Sequence, residues 1–169
     1  RRKYDEAGIK PSDIQSLDDI HNVPFTVKEE LRESRAKQPP WGDFPCIPPV
    51  EGVRVFQTTG TTGIPVKVLL NKADWYKLFY EQFMHFMYGY GIRTSDILFV
   101  PFGYSLYIAW WGFQAALEQE GVMIVPGGAQ SSKDRVRNVF DWGATVVCGT
   151  PTYLLYLGEA AKEMGVSLA

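Results

Sequence analysis

Six consecutive positions, Thr58-Thr59-Gly60-Thr61-Thr62-Gly63, hold four threonines and two glycines. Glycine accepts positive φ angles and lets backbone N–H groups approach a ligand closely. Each threonine adds a hydroxyl donor. Successive N–H groups turned inward form a concavity suited to anions, of which phosphate is the usual one. A plain hairpin turn between strands has a similar composition. Four β-branched threonines are nonetheless poor linker residues, and a simple turn has no use for four hydroxyls. The run lacks the four-residue spacer and Lys-Ser/Thr ending of a Walker A loop. Phosphate binding is therefore open to it, and P-loop nucleotide hydrolysis is not.

The elements that must position this loop follow from periodicity. Val53 and Val55 alternate before it, and Val66, Val68 and Leu69 follow it, so one strand enters and another leaves. Asn71 or Lys72 opens a long helix to about Tyr90. Trp75, Leu78, Phe79, Phe83, Phe86, Met87 and Tyr90 form one stripe, and Tyr76, Tyr80, Met84 and Tyr88 a second, which predicts burial on more than one side. His85 on that helix reads as a packed or hydrogen-bonded histidine. From Gly91 the pattern alternates: a strand over 97–101, a helix over 106–119, a strand over 122–125, a helix to about Trp142 capped by Ser131 and Asp134, a strand over 145–148, and a last helix with Pro151 at its first position. Short apolar strands separated by helices predict an α/β fold, with a parallel-rich sheet covered on both faces.

In such a sheet, ligands sit beyond the carboxyl ends of the strands. Three loops leave those ends: Phe102-Gly103-Tyr104-Ser105, Gly127-Gly128-Ala129-Gln130 and Gly149-Thr150-Pro151. The first is aromatic and the others small and polar. A phosphate loop near an aromatic cleft suggests a nucleotide together with an apolar or aromatic partner.

Residues 1–50 read as a helical, proline-rich N-terminal segment, and residues 51–169 as a partial α/β domain truncated at its C-terminal end. Ser16 caps a turn through Ile20. Thr26 with Glu29 reads as a capping box for a helix to about Ser34. Residues 38–49, with five prolines, read as an extended surface segment. Arg1-Arg2-Lys3 is neither a signal peptide nor a natural start, so the chain reads as trimmed from a longer protein.

The 169 residues are 46% hydrophobic, enough for a sizeable core. Seventeen basic against nineteen acidic residues give a net charge of −2, which makes no electrostatic case for nucleic acid. Cys46 and Cys148 lack metal-ligand spacing, no metal site is read, and a reducing cytoplasm is the expected setting. Residues 97–117 carry no charge, but Pro101, Gly103 and Gly112 interrupt them, so a strand, loop and buried helix are expected there and no membrane span.

Thr58-Thr59-Gly60-Thr61-Thr62-Gly63-Ile64-Pro65 resembles the phosphate-loop motif of the AMP-forming acyl-adenylate ligases. Arg2-Lys3-Tyr4-Asp5-Glu6-Ala7-Gly8, Leu17-Asp18-Asp19-Ile20, Pro24-Phe25-Thr26, Phe102-Gly103-Tyr104 and Thr150-Pro151-Thr152-Tyr153 are similar to the phenylacetate–coenzyme A ligase branch. The resemblance covers nearly the whole chain. It implies an N-terminal part of the large adenylation domain, and an enzyme that joins a carboxylic acid, phenylacetate or a related aromatic acid, to coenzyme A through acyl-AMP. ATP, Mg²⁺ and coenzyme A are implied as its substrates and cofactor. The resemblance implies ATP phosphate binding for Thr58, Thr59, Gly60, Thr61, Thr62 and Gly63, and an acyl pocket at Phe102 and Tyr107 with Tyr104 between them.

Ile64 and Val66 stand where many relatives have lysine, which leaves Lys67 as the nearby cation. Ser105, Ala109 and Trp110 stand at positions usually glycine in the branch, and their bulk would reshape the acyl pocket. The resemblance also implies that catalytic residues lie downstream of Ala169, with none in this chain, so that the chain by itself is expected to be inactive. Relatives often dimerise, which makes a homodimer the implied assembly. Two further readings share the fold: an adenylyltransferase of the coenzyme F390 synthetase type acting on a deazaflavin, and a non-catalytic relative.

Overall fold

The computed structural model describes residues 2–60 and 63–168. Two compact units result, Arg1–Phe44 and Pro45–Ala169.

In the first unit, α1 (Arg2–Glu6) precedes 3₁₀ turns at Pro11–Asp13 and Leu17–Asn22, and α2 spans Lys28–Lys37. The Asp19 carboxylate accepts from the Gln15 and Ser16 amides at 3.0 and 2.9 Å, which fixes the start of the second turn. The same bonds hold its carboxyl below the ordinary carboxylate range. Helix α2 starts later than the Thr26–Glu29 frame predicts and runs on to Lys37. Val27 is the capping residue, and its amide donates to Glu30 at 3.2 Å. The Lys3 ammonium pairs with that same Glu30 at 2.6 Å, so an ion pair from α1 selects the later frame. The segment expected to be extended contains a turn after α2 and a 3₁₀ turn at Pro49–Glu51.

The second unit opens with an antiparallel hairpin, β1 (Gly52–Gln57) against β2 (Lys67–Asn71), in which Phe56 faces Val68 and Gln57 faces Lys67. Asn71 ends β2 and starts the following helix: its side chain accepts from the Asp74 amide at 2.8 Å, while Asp74 accepts from the Asn71 amide at 3.2 Å. A π-turn at Asp74–Leu78 runs into α3 (Phe79–Gly89). That turn corrects the two-stripe reading of this helix. Its extra residue shifts the helical phase by about 100°, and Trp75, Met84 and Met87 are buried while Tyr76, Leu78, Phe86, Tyr88 and Tyr90 are exposed. His85 donates through Nδ1–H to the Glu81 carbonyl, 2.6 Å away.

Strands β3 (Ile97–Val100), β4 (Met123–Pro126) and β5 (Val146–Val147) form a parallel sheet in the order β4-β3-β5. Helices α4 (Ile108–Glu120), α5 (Ser132–Asp141) and α6 (Pro151–Glu163) connect and follow them. Side chains alternate across the sheet. Leu98 and Val100 pack with Met84 and Met87 of α3 and with Phe113 and Leu117 of α4. Val147 faces the other way, onto Val136 of α5 and Leu157, Ala160 and Ala161 of α6. Each fully buried aliphatic side chain of this kind stabilises the fold by about 1.5–3 kcal/mol. Gly112 permits the close crossing of α3 and α4, since a Cβ there would meet Phe79 at 2.6 Å and Phe83 at 2.7 Å. Among the described residues no helix is long and apolar enough to cross a membrane, and residues 97–117 divide into β3, a turn and α4.

Candidate phosphate loop and aromatic turn

The hairpin sets the base of the threonine loop. The Thr58 amide donates to the Val66 carbonyl at 2.9 Å, and the Val66 amide donates back to the Thr58 hydroxyl at 3.0 Å. One Thr58 oxygen lone pair is thus committed to closing the loop, and its O–H remains a donor. Gly60 has φ +68°, and a Cβ there would lie 2.7 Å from Pro65 Cγ and 2.8 Å from the Gly63 carbonyl. Gly63 has φ +137° with open space around it, and its amide donates to the Gly60 carbonyl at 2.9 Å. Glycine is required at Gly60 for both conformation and room, and at Gly63 for conformation alone. Among the described residues the amides of Thr59 and Gly60 and the exposed Thr59 hydroxyl have no partner. Such unpaired donors on a bent backbone are what an anion site needs. Thr61 and Thr62 lie outside the described residues.

The aromatic turn after β3 lies beside this strand, joined by the Gln57 amide donating to the Leu106 carbonyl at 3.1 Å. Phe102 and Tyr104 come together there, ring centres 5.9 Å apart and edge to face. Two tryptophans complete the cluster: Trp110, expected from the sequence to add bulk at the acyl pocket, packs on Phe102 at 4.6 Å, and Trp111, which the sequence reading missed, packs on Tyr104 at 5.2 Å. Both come from the first turn of α4, and a tryptophan pair there was the available signal. Tyr107 is set apart. It is the N-cap residue of α4, is 51% exposed, and its ring meets no other ring among the described residues. Tyr104 is 8% exposed, and its hydroxyl is buried without a partner. Burial first, then the Glu118 charge and Cys148, push that phenol up to about 12. Ser105 has φ +46°, the left-handed region that a non-glycine residue seldom occupies.

The other two strand-end loops are tied to each other by Arg135 of α5. Its guanidinium donates to the Gly127 carbonyl at 3.4 Å, to the Gly128 carbonyl, and to the Tyr153 hydroxyl at 2.6 Å. It also stacks on the Tyr153 ring at 5.4 Å. Gly127 itself packs against the end of β3, where a Cβ would meet the Val100 carbonyl at 2.8 Å. Among the described residues no three His, Cys, Asp or Glu side chains converge as a metal cage.

No family model matches the chain. It is 33% identical over 167 residues to a phenylacetate–coenzyme A ligase of Thermus thermophilus, which covers 99% of this chain and 36% of that protein. A phenylacetate–coenzyme A ligase of Pseudomonas putida is 28% identical, over 98% of this chain and 36% of the relative. The chain thus spans 36% of the length of these curated relatives. Among solved structures, a 2-hydroxyisobutyryl-CoA ligase in complex with 2-HIB-AMP and CoA superposes with a TM-score of 0.90 at 37% identity, over 98% of this chain and 35% of that one. An open conformation of such a ligase gives 0.89 at 35% identity, over 98% and 39%. By sequence and by fold, this chain is a homologue of the phenylacetate–coenzyme A ligases and corresponds to an N-terminal part of an adenylate-forming ligase.

Proposed function

We propose that this chain supplies the phosphate loop and acyl pocket of an AMP-forming acid–coenzyme A ligase. In that reaction a carboxylate oxygen attacks the α-phosphorus of ATP, giving acyl-AMP and pyrophosphate. The coenzyme A thiol then attacks the acyl carbon, forming the thioester and releasing AMP. The observation that carries the proposal is the loop that starts at Thr58, where Gly60 and Gly63 are left-handed and the Thr59 and Gly60 amides have no partner among the described residues. Those amides and hydroxyls suit the β- and γ-phosphates and the charge that builds on pyrophosphate as it leaves. The part played by this chain is positioning. None of its residues is proposed as acid, base or nucleophile. Magnesium would be held mainly by the phosphates, since the described side chains do not form a cage for it.

For the acid, Phe102, Tyr104 and Trp110 offer an aromatic wall, which supports phenylacetate or a related aromatic acid. Cys46 and Cys148 stand far apart in sequence and lack metal-ligand spacing, and a reducing cytoplasm is the proposed setting. ATP–pyrophosphate exchange by the full-length protein tests the reading, with phenylacetate, 2-hydroxyisobutyrate and a deazaflavin compared side by side. Acid-dependent exchange that falls at least about tenfold in Gly60→Ala supports it. Exchange unchanged by Gly60→Ala would sink the loop assignment, and exchange driven by the deazaflavin alone would sink the ligase.

A further inference from the structure

Arg54 of β1 lies between two indole rings, its guanidinium carbon 4.6 Å from the Trp111 ring centre and 5.1 Å from that of Trp75. Among the described residues nothing accepts a hydrogen bond from it or pairs with its charge, and its Nε is buried without a partner. The two stacked rings attract the cation, but they satisfy none of its N–H donors. A guanidinium partly withdrawn from water ordinarily has a carboxylate or phosphate on its fork.

The surroundings supply room for one. Arg54, Val55, Phe56, Ser105, Leu106 and Trp111 line a cleft of about 320 Å³, and none of the described residues that line it is acidic. That volume is at the small end of ligand sites, which run from about 300 to 1,000 Å³. The cleft wall is also held in place. Trp111 Nε1 donates to the Ser105 carbonyl at 2.7 Å, fastening the indole to the strained turn. The Ser105 hydroxyl makes no hydrogen bond among the described residues and is a second donor on the same wall.

We infer that this cleft is a binding site for a small oxyanion, a carboxylate or a phosphoryl group, held on the Arg54 fork with any hydrocarbon part against Leu106. Two parallel N–H···O bonds are the natural way for the fork to engage either group. The site stands on Arg54 and its cleft, and does not rest on the assignment of the threonine loop.

Trp75 and Trp111 flank the cation, so tryptophan fluorescence reports on the cleft directly. The protein is titrated with isobutyrate and, separately, with inorganic phosphate. A saturable change is expected with at least one, and which one identifies the source of the oxyanion. Arg54→Met, which keeps an unbranched chain between the indoles, should weaken binding at least about tenfold, with Arg54→Lys intermediate. Leu106→Glu provides a second route that retains Arg54: a carboxylate placed on the cleft wall should displace the ligand to the same degree, whether or not Arg54→Met folds. Binding that persists in Gly60→Ala separates the cleft from the proposed phosphate loop. No saturable change with either anion, or affinities within about twofold of the parent in both Arg54→Met and Leu106→Glu, would reduce Arg54 to a packing element and overturn the proposal.

Discussion

The Gln57 amide donates to the Leu106 carbonyl at 3.1 Å, joining the last residue of β1 to the turn that follows β3. Gln57 directly precedes the threonine loop, and Leu106 sits between Tyr104 and Tyr107. A shift in one loop is therefore felt in the other through one backbone bond.

The two glycines of the threonine loop should differ in what they tolerate. Gly60→Ala meets both a left-handed φ and close contacts with Pro65 and Gly63, whereas Gly63→Ala meets only the unfavourable φ. Backbone strain of this kind costs about 1–3 kcal/mol. Urea midpoints should fall for both variants, and further for Gly60→Ala; the reverse order would show that Pro65 gives way.

Tyr104 carries a buried hydroxyl with no partner. Tyr104→Phe removes that unsatisfied group and keeps the ring, so stability should rise by about 1 kcal/mol. The folded phenol is raised to about 12 from an ordinary value of 10.0. Its contribution is whole below pH 10 and is lost as pH climbs toward 12. Thermal melts of the parent and of Tyr104→Phe should diverge across that alkaline window, with the parent falling more.

At the other end of the pH scale, Asp96 accepts from the Arg93 amide at 2.7 Å and from the Thr145 hydroxyl at 2.8 Å. The backbone bond first, then Thr145, holds its carboxyl below the ordinary 3.8. A lowered folded value means the contribution is present above pH 3.8 and disappears as pH falls through the folded value. Thr145 in turn accepts from the Ile97 amide at 3.0 Å, so this carboxylate fastens the start of β3 to the strand beside it. Asp96→Ala should flatten the acid limb of a denaturation-midpoint series run from pH 7 to pH 3.

Arg135 and Tyr153 should be coupled. Their 2.6 Å bond ties α5 and the Gly127-Gly128 loop to the first turn of α6. A double-mutant cycle with Arg135→Met and Tyr153→Phe should give an interaction of about 1 kcal/mol, discounted from the value for a fully buried charged bond. Additive effects would mean that the stack and the bond contribute nothing jointly.

The parallel sheet was legible because its strands are short apolar runs with clear breaks, as at Ile97–Val100, and because Ser131 and Asp134 offer one unambiguous cap, which the structure uses at 3.2 Å. The start of α2 was less legible, since Glu29 and Glu30 permit two capping frames and only Lys3, distant in sequence, chooses between them. Phe102 and Tyr104 were readable as a pair because they share one short turn. Arg54 was not, because its two indole partners come from elements that meet it only in the folded state.

The π-turn at Asp74–Leu78 gives the hairpin and the sheet a common meeting point. A continuous α-helix from Asn71 would make Trp75 and Met87 share one rotational setting; the extra residue lets each be aimed separately. Trp75 is thereby free to cover Phe56, ring centres 5.4 Å apart, and Arg54 on the hairpin, while Met84 and Met87 serve the sheet core. Removing one residue between Asp74 and Leu78 would restore a regular helix and turn one half against the other by about a quarter of a revolution. Length, more than residue identity, is what this segment has to preserve.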